Sequence, residues 1–588
     1  MFSRLLSYRH LSAVTLAALS LFIILLSIFV GPPLPLSWDT IGYYSYLTEL
    51  FTDGSIHIEN LSYYEHIVDT YDNSNTLYQF ITLENGAIIT KYTSGWSIVN
   101  SPFMLIAHLF AGWFGYAQDG YSDPYQIALF VSSLFYTLLG LIVMRKVLLH
   151  FFSDKLTALL LVILVLGTNY LHTNYSCIGT VHVYLFPLYA LLLLFTIKFH
   201  QNKRIKYSII LGVILGLMML IRPTEIIAIL IPLLYGINSF KSFLLRFKQY
   251  FKSPYYYALS LTIIGIYGIQ MLFWYKTTGS PLVYTYLNPA EGLDFDKPHL
   301  LEVLFSFRKG WLIYTPIMIF VLIGIYRSYK LKNQLYFSFS IFLILYLYVT
   351  SCWTSWWYAG SFSLRQLEHI YPICLLLIGF SIYQLKPAIQ KFNLSVIGIF
   401  ILLNLFQTWQ FQNGILHMSR MSSAYYFSIF GQTSAPTEKQ KSLLLIDRSL
   451  ENFENKSAYK LVKQIESPFN NLVLSQENPY SPAIKFSYND ISEQDHLWLI
   501  ATSEIEQIDS NSTIPDLHLC IYTTNEHGVY NWRKKSLAEF YNTKGNISFE
   551  YLTPHLRSEK DTIAVSLWHQ NGEAVQAKNL ELFVYEKK

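Results

Sequence analysis

The sequence predicts a polytopic α-helical membrane protein with about eleven transmembrane helices and a C-terminal external β-sandwich or jelly-roll domain. Of the 588 residues, 52% are apolar and only 14% are charged, whereas soluble proteins average about 25% charged residues. Aromatic residues make up 17% of the chain, and Tyr and Trp are enriched where helices cross the membrane interface. Beyond residue 442 the long apolar runs give way to short alternating runs, which are typical of β-strands.

Charge and cysteine content argue against two kinds of site. The formal net charge of +4 is small for this length and gives no reason to expect nucleic-acid binding. The four cysteines lack the paired C-x-x-C spacing of many metal sites. The expected partners are therefore membrane lipids and the substrates considered below, and no nucleic acid.

The first predicted transmembrane helix covers Leu11–Val30. Its length of roughly 20 apolar residues is enough to span a bilayer. Arg4 and Arg9 precede it, as they would in a secretory signal, but no A-x-A-like cleavage site follows. We therefore expect this helix to remain in the protein.

Ten further apolar runs are predicted to span the membrane. They lie near 126–147, 157–171, 181–199, 207–221, 225–237, 257–275, 311–326, 336–350, 370–385 and 394–409. The stretch 97–116 is also apolar but is interrupted by Pro102, His108 and two glycines. If this stretch spanned the membrane, every later loop would change side.

Positive charges predict the orientation, because Lys and Arg concentrate in cytoplasmic loops. With 97–116 left out, one set of loops shares its side with Arg4 and Arg9 and carries Arg145, Lys146, Lys155, Lys198, Lys203, Arg204, Lys206, Lys241, Arg246, Lys248, Lys252, Arg327, Lys330, Lys332, Lys386 and Lys391. Residues 31–96, on the opposite side, hold one lysine against eight Asp and Glu. This predicts a cytoplasmic N-terminus, a large first external loop over 31–125 and an external C-terminal domain, in the cell (inner) membrane. Residues 97–116 then lie along the outer face or dip in partway.

The unusual polar residues then fall on the external side. They lie at helix ends or in loops and are Asp39, Lys91, His182, Arg222, Arg308, Lys309 and Arg365. The helix centres carry almost no charge, whereas transporters usually place ionisable groups near the midplane of broken helices. We therefore expect chemistry at the outer membrane–water boundary.

The order of these external segments resembles that of GT-C-type glycosyltransferases, the polyprenyl-phosphate-sugar-dependent membrane enzymes related to protein mannosyltransferases and aminoarabinose transferases (glycosyltransferase family 39-like). The segments are SWDTIGYY at 37–44, KYTSGW at 91–96 with SPF at 101–103, IRPT at 221–224, RKGW at 308–311 with YTP at 314–316, and WTSWWYAG at 353–360 followed by Arg365. The resemblance covers roughly residues 1–410. In one departure, Thr40 stands where the family has a second acid after Asp39.

The chemistry of this reaction assigns roles to the external residues. An acceptor hydroxyl attacks the anomeric carbon of a sugar joined to lipid phosphate, and a nearby carboxylate accepts its proton and stabilises the cationic sugar. Asp39 is the candidate carboxylate. The departing phosphate needs cations, which Arg provides in bidentate form, and the candidates are Lys91, Arg222, Arg308, Lys309 and Arg365. The further site candidates are His182, Tyr43 and Trp357.

No cofactor is predicted for this reaction. A monophosphate leaving group carries less charge than a nucleotide diphosphate, so an obligatory metal is less expected, although the sequence leaves a divalent metal open. Asp294 and Asp296 form a D-x-D pair that we interpret as an ordinary loop. His172 and His182 are ten residues apart, which is weak evidence for a metal site.

The candidates also have structural explanations. Asp39 is a favoured residue for the N-cap of a helix over 40–50, and Lys91 suits a solvated loop. Arg222, before Pro223, suits a helix end that snorkels to the interface. Arg365 lies in an aromatic segment where cation–π packing is an alternative.

The two adjacent cations and the histidine have alternatives as well. Arg308 and Lys309 suit headgroup anchors of the next helix, and only one of them is expected to contact a substrate phosphate. His182, at the external start of a helix, suits packing or hydrogen bonding.

The region after the last predicted helix divides into a linker, 410–442, and a β-sandwich domain, 443–588. Residues alternate between apolar and polar over 517–522, 547–551 and 563–567, as in antiparallel sandwiches. The stretch 561–585 resembles the closing strands of carbohydrate-binding jelly rolls, although fold analogy is poor evidence for binding. Trp532 and Trp568 are expected to belong to the core rather than to stack on sugars.

Three functions follow from these observations, and the first is favoured. It is an inverting glycosyltransferase that moves a sugar from a polyprenyl-phosphate donor to a lipid, glycan or protein acceptor at the external face. The second is a lipid or glycan transporter such as a flippase, which would need polar residues along a central path. The third is a non-enzymatic membrane scaffold that displays the sandwich domain.

Overall fold

A computed structural model describes residues 10–588 apart from 33, 53, 56, 75, 84, 239, 287–291, 446–457, 468, 493, 495, 508–515, 526–527, 537–545, 555–559 and 572–573. Arg4 and Arg9, which contributed to the predicted orientation, lie outside the described residues. The chain forms two compact units, one built largely from the chain up to Leu443 and the other from the chain beyond it.

The first unit is largely helical. Its described α-helices are α1 (Leu11–Val30), α2 (Asp39–Thr52), α3 (Ser62–Tyr71), α4 (Gly95–Trp113), α5 (Asp123–Phe151), α6 (Asp154–Leu166), α7 (Tyr170–Ser176), α8 (Val181–Gln201), α9 (Ile205–Ile221), α10 (Leu230–Leu234), α11 (Phe240–Tyr250), α12 (Pro254–Thr278), α13 (Leu300–Phe305), α14 (Trp311–Tyr314), α15 (Ile319–Lys330), α16 (Tyr336–Ser351), α17 (Tyr371–Ile382), α18 (Pro387–Gln412), α19 (Ser423–Ser428) and α20 (Glu438–Lys441). Shorter 3-10 helices precede α10, α15 and α17 and cover Pro223–Ile229, Pro316–Met318 and Arg365–Ile370.

Every predicted transmembrane run coincides with helical structure, and the chain is a multi-pass membrane protein. Within the described ranges, five helices are long and apolar enough to cross a membrane, namely α1, α5, α8, α12 and α18. The bent pair α6 and α7, at 58°, makes a sixth if it is one span. The other predicted runs form shorter helices, and those beginning near 223 and 316 open with 3-10 turns at a proline. Fewer helices than the predicted eleven therefore reach spanning length.

The ambiguous stretch 97–116 forms most of α4, which is not among the helices of spanning length and hydropathy. One face of α4 is buried and the opposite face exposes Leu105, Ile106, Leu109, Phe110 and Trp113. The start of α4 packs closely on the end of α9, because a Cβ at Gly95 would lie 2.3 Å from the backbone nitrogen of Ile221. Only glycine permits this approach, which places the segment before α4 next to Arg222.

A small hairpin rests on α2. Strands β1 (Phe80–Thr82) and β2 (Ile88–Thr90) pair antiparallel, with Phe80 opposite Thr90. The hydroxyl of Thr90 donates to the carbonyl of Gly42 in α2 at 3.0 Å. The residues that flank the hairpin, Tyr78 and Tyr92, are thereby brought to the first turn of α2.

The second unit is a β-sandwich, as predicted. Its described strands are β3 (Tyr459–Glu466), β4 (Leu472–Leu474), β5 (Ile484–Ser487), β6 (Trp498–Gln507), β7 (Asp516–Asn525), β8 (Gly528–Ser536), β9 (Asn546–Leu552), β10 (Thr562–Asn571), β11 (Val575–Ala577) and β12 (Glu581–Lys587). One sheet has the order β5-β10-β7-β8 and the other the order β3-β12-β6-β11-β4, with β9 paired to β6. All the recorded strand pairs are antiparallel.

Alternation along β7 and β10 separates the core from the outer face of the first sheet. Leu519 and Leu567 are fully buried in the core between the sheets. Trp568 is the next residue along β10, so its ring projects from the opposite face, and Trp532 is 44% exposed. The expectation that both tryptophans belong to the core is therefore wrong, because alternation alone does not say which face of an outer strand is covered.

Candidate active site

Asp39 is the first residue of α2 and lies close to three side chains from other segments. Its Oδ1 accepts hydrogen bonds from the hydroxyls of Tyr78 at 2.5 Å and Tyr92 at 2.8 Å. Its Oδ2 lies 3.8 Å from Nη2 of Arg365, and the side chain is 42% exposed. An N-cap role would instead direct the carboxylate to backbone amides of its own helix. The observed contacts hold the carboxylate in place and leave it accessible.

The backbone before Asp39 is held on both sides. Trp38 has a left-handed conformation, with φ at 54°, which costs a non-glycine residue about 1–3 kcal/mol. Its N–H donates to the carbonyl of Asn73 at 3.0 Å, and Nε2 of Gln79 donates to its carbonyl at 2.9 Å. The position of Asp39 therefore depends on these two downstream residues.

Tyr43 forms a wall of the same region. Its ring stacks on that of Tyr92, with centroids 3.9 Å apart. Burial raises the pKa of Tyr43, Tyr286 adds to the shift, and the charges of Arg222 and Arg365 oppose it. The phenol is therefore neutral at physiological pH and acts as an aromatic surface or hydrogen-bond donor.

Lys91 contacts the ring of Tyr78, one of the two tyrosines that donate to Asp39. Its side chain is buried, and its Nζ is 5.1 Å from the ring centroid of Tyr78. A solvated loop cation does not fit this burial. The lysine therefore contacts the ring of a tyrosine whose hydroxyl donates to Asp39.

Arg365 opens the 3-10 helix Arg365–Ile370 and reaches the aspartate. Its side chain is mostly buried, and its buried Nε has no hydrogen-bond partner within the described parts of the chain. The preceding segment contains three left-handed residues, Tyr358, Ala359 and Ser363, a strained backbone of the kind found at functional sites. An unsatisfied buried donor on a guanidinium suits an anion that is not part of the chain.

Arg222 follows the end of α9 and turns toward the protein. Its Nη1 donates to the side-chain oxygen of Gln366, the residue after Arg365. The guanidinium carbon is 6.0 Å from the ring centroid of Tyr358. A side chain that only snorkelled to the interface would point to the lipid headgroups instead.

Arg308 and Trp357 pair with each other. The guanidinium carbon lies 3.7 Å from the centroid of the Trp357 ring, a cation–π contact. Nε of Arg308 donates to the carbonyl of Ser419 at 2.9 Å. Arg308 is only partly buried, so part of its guanidinium can contact a ligand.

Lys309 has a different environment from its neighbour. It is buried and donates to the carbonyls of Ser361 and Met418. Burial, followed by the charges of Arg365 and Arg308, lowers the pKa of Lys309 well below its ordinary value. These contacts join the segment before Arg365 to the segment after α18, so Lys309 positions the loop.

His182 belongs to a buried hydrogen-bond network that the sequence did not reveal. Its Nδ1 lies 2.9 Å from Nδ1 of His369, and Nε2 of His369 lies 3.2 Å from Oε1 of Glu225. The hydroxyls of Tyr189 and Tyr346 donate to Glu225 at 2.5 and 3.0 Å. Glu225 and His369 lie in the 3-10 helices that follow Arg222 and begin at Arg365, so the pair joins the two elements that carry these arginines.

Two acidic residues in or next to apolar segments could have indicated this buried network from the sequence. Glu225 and Glu368 are both fully buried, and ionisable residues inside predicted membrane segments are functional candidates by default. Oε1 of Glu368 accepts from Asn174 at 3.1 Å, and its Oε2 has no hydrogen-bond partner within the described ranges. In the sequence prediction Glu225 only opened the apolar run near 225–237, and Glu368 fell just before the run near 370–385.

The described side chains offer few metal ligands in one place. Within the parts of the chain that the structure covers, His, Cys, Asp and Glu form no group of three or more suited to a metal ion. His172 and His182 are both buried, but His172 lies 4.0 Å from the sulfur of Cys177, whereas His182 contacts His369.

Residues 122–274 match the family described as dolichyl-phosphate-mannose-protein mannosyltransferase. The matched region contains His182, Arg222 and Glu225 and ends before Arg308 and Arg365. The match confirms the predicted resemblance to GT-C glycosyltransferases. A search of curated proteins finds no match.

Three solved structures are similar at low identity. ArnT from Cupriavidus metallidurans in the apo state has 13% identity and a TM-score of 0.40, with 66% of this chain and 62% of that chain covered. The Archaeoglobus fulgidus oligosaccharyltransferase tethered with an acceptor peptide has 14% identity, a TM-score of 0.41 and coverage of 76% and 60%. The archaeal oligosaccharyltransferase AglB from the same organism, with an inhibitory peptide and a dolichol-phosphate, has 12% identity, a TM-score of 0.38 and coverage of 74% and 60%. The chain thus spans less than two thirds of each of these structures.

Proposed function

We propose that the chain is an inverting membrane glycosyltransferase that moves a sugar from a polyprenyl-phosphate donor to a lipid, glycan or protein acceptor at the external face. The observation that carries this proposal is the accessible carboxylate of Asp39, held by two tyrosine hydroxyls beside Arg365. The match of residues 122–274 to a family of lipid-phosphate-sugar-dependent enzymes supports the donor class.

In the proposed reaction Asp39 acts as general base. An acceptor hydroxyl donates its proton to the carboxylate while its oxygen attacks the anomeric carbon. The bond from that carbon to the phosphate oxygen breaks, and the phosphate leaves on its lipid. Because the attack is a single displacement, the anomeric configuration is inverted. Tyr78 and Tyr92 occupy Oδ1 and so leave Oδ2 for the acceptor.

The arginines supply the positive charge that the leaving phosphate needs. Among the described residues Nε of Arg365 has no hydrogen-bond partner, and its Nη2 lies 3.8 Å from Asp39. Arg222 donates to Gln366, the next residue along the chain. Planar guanidinium groups bind phosphate oxygens in bidentate form. Arg308 is the third candidate contact, whereas the buried hydrogen bonds of Lys309 and the contact of the buried Lys91 with the Tyr78 ring suit positioning roles.

The proposed orientation places this site on the outer side of the cell (inner) membrane. The cationic loops would face the cytoplasm, in keeping with the positive-inside bias. The C-terminal sandwich, 443–588, would then be external and would follow the linker over 410–442.

Incubation of the purified chain with a panel of polyprenyl-phosphate sugars tests the proposal. Mass spectrometry should detect one sugar transferred to an acceptor and the release of polyprenyl phosphate. The Asp39→Asn variant should release polyprenyl phosphate at least about 100-fold more slowly. If that variant turned over at the wild-type rate, Asp39 would not be the general base. If the wild-type chain turned over none of the donors, the proposed function would be contradicted.

A further inference from the structure

The outer face of the β5-β10-β7-β8 sheet carries a cluster of aromatic rings, which we call the aromatic platform: Tyr480, Trp532 and Trp568. The rings of Tyr480 and Trp568 are nearly parallel, at 10°, with centroids 6.3 Å apart. Trp532 and Trp568 have centroids 6.2 Å apart. Tyr480 is 60% exposed and Trp532 44% exposed. Trp568 between them is half-buried, and a cluster of exposed aromatic rings of this kind is a candidate binding surface.

The register of the strands explains why the rings meet. Tyr480 forms an isolated bridge to Trp568, and Trp532 on β8 lies opposite Tyr522 on β7. The residue between the tryptophans on β7 is Cys520, whose small side chain is buried beneath them. The two indole rings therefore meet above the small side chain of Cys520, and Tyr480 extends the aromatic surface to one side.

Polar groups border the rings. Nζ of Lys534 lies 4.9 Å from the centroid of Trp568 and donates to Oε1 of Gln570 at 3.1 Å. The same oxygen lies 3.2 Å from Nε2 of His518. The exposed ammonium of Lys534 and amide of Gln570 can therefore hydrogen-bond to a ligand at the edge of the rings, whereas His518 is buried.

We propose that the aromatic platform binds a glycan chain. Sugar rings present one apolar face of C–H groups and a rim of hydroxyls, which matches open aromatic faces bordered by polar side chains. A protein interface would also use Tyr and Trp, but its core is depleted in lysine, whereas the exposed Lys534 lies among these rings, with its Nζ 4.9 Å from the centroid of Trp568. The composition of this face therefore favours a saccharide.

This inference goes beyond the transferase proposal, because it concerns binding by the second unit and requires no turnover. The test uses the full-length Asp39→Asn chain in detergent with fluorescently labelled hexasaccharides of glucose, mannose, galactose and N-acetylglucosamine, followed by anisotropy. At least one hexasaccharide should bind with saturation below about 1 mM. Failure of sugar transfer in the wild-type chain would leave this measurement unaffected.

Variants assign the binding to the platform. Trp532→Ala and Tyr480→Ala should each weaken binding about tenfold, and Trp532→Phe should restore most of it. Val473→Ala is the matched control, because Val473 is 45% exposed on a strand of the other sheet, and it should bind as the parent does. Thermal unfolding of each variant checks folding. The proposal is overturned if none of the four hexasaccharides binds. It is also overturned if a hexasaccharide that binds the parent chain binds both alanine variants with the same affinity as the parent.

Discussion

Asp39 and Arg365 are close in space, with Oδ2 of the aspartate 3.8 Å from Nη2 of the arginine, although they come from opposite ends of the helical unit's sequence. The arginine also has a buried Nε without a hydrogen-bond partner in the described structure. One guanidinium can therefore bind a phosphate while it stays next to the base. This arrangement brings the proposed proton acceptor and leaving-group site together.

Removal of the proton acceptor should abolish transfer. Asp39→Asn keeps the size of the side chain and its hydrogen bonds from the tyrosines but cannot accept a proton, so kcat should fall at least about 100-fold. Steady-state transfer measured by mass spectrometry gives the rate. Asp69→Asn, an exposed position in the same loop, is the control and should behave as wild type.

Loss of the guanidinium should weaken donor binding. Arg365→Ala should raise KM for the lipid-phosphate sugar by about tenfold or more, because a charge-assisted contact is lost. The KM of Arg365→Lys should lie between those of wild type and Arg365→Ala, since an ammonium carries the charge but lacks the bidentate geometry of a guanidinium. Donor titrations at saturating acceptor measure the effect, with the exposed Arg533→Ala as control. An unchanged KM in Arg365→Ala would exclude Arg365 from the donor site.

The buried pair of Glu225 and His369 should be energetically coupled. His369→Ala leaves Glu225 without one of its partners in a buried site, which should lower the free energy of unfolding by about 2 kcal/mol or more. In a double-mutant cycle with Glu225→Gln, the interaction energy should be about 1–3 kcal/mol. Denaturant unfolding in detergent provides the measurement. Additive effects would mean that the 3.2 Å contact does not hold the two 3-10 helices together.

Lys309 should give the protein a specific pH dependence. Burial lowers its pKa below the ordinary 10.5, so the unfolded chain binds this proton more tightly than the folded chain. The free energy of unfolding of wild type, relative to Lys309→Met, should therefore rise with pH from the lowered folded pKa up to 10.5. Thermal unfolding between pH 7 and about 10.5 tests this. Lys391→Met, at an exposed position, serves as the comparison variant, and parallel curves for wild type and Lys309→Met would contradict the assignment.

Cysteine labelling tests the proposed orientation. In a chain whose four native cysteines are replaced, Trp38→Cys and Lys391→Cys provide exposed reporters on the proposed external and cytoplasmic sides. A membrane-impermeant maleimide added to intact cells should label position 38 and should label position 391 only after permeabilisation. The reverse pattern would place the candidate site inside the cell.

Part of this site was predictable because Asp39 and Arg365 each lie at the end of an apolar run, and the order of these runs predicts which side of the membrane each residue faces. Asp39 after α1 and Arg365 before α17 were both placed by sidedness, and the structure brings them into contact. The contact of Glu225 with His369 was not predictable, since each residue alone looks like the edge of an apolar run. Only the packing of two 3-10 helices, both far from each other in sequence, makes them partners.

The sandwich shows a different limit. Period-two alternation placed the strands, and β7, β9 and β10 lie where the alternating runs predicted them. The same alternation could not say that Leu567 faces the second sheet and Trp568 faces away from it. That choice depends on which face of the sheet the other sheet covers.

The hydrogen bonds that Asn73 and Gln79 make to the backbone of Trp38 suggest a route for inhibition. A ligand, nanobody or crosslink that displaced this pair would release a backbone that holds its shape only under restraint. The carboxylate next to it would then swing away from Tyr78 and Tyr92. Such an agent would stop the proposed reaction without resembling either sugar or lipid.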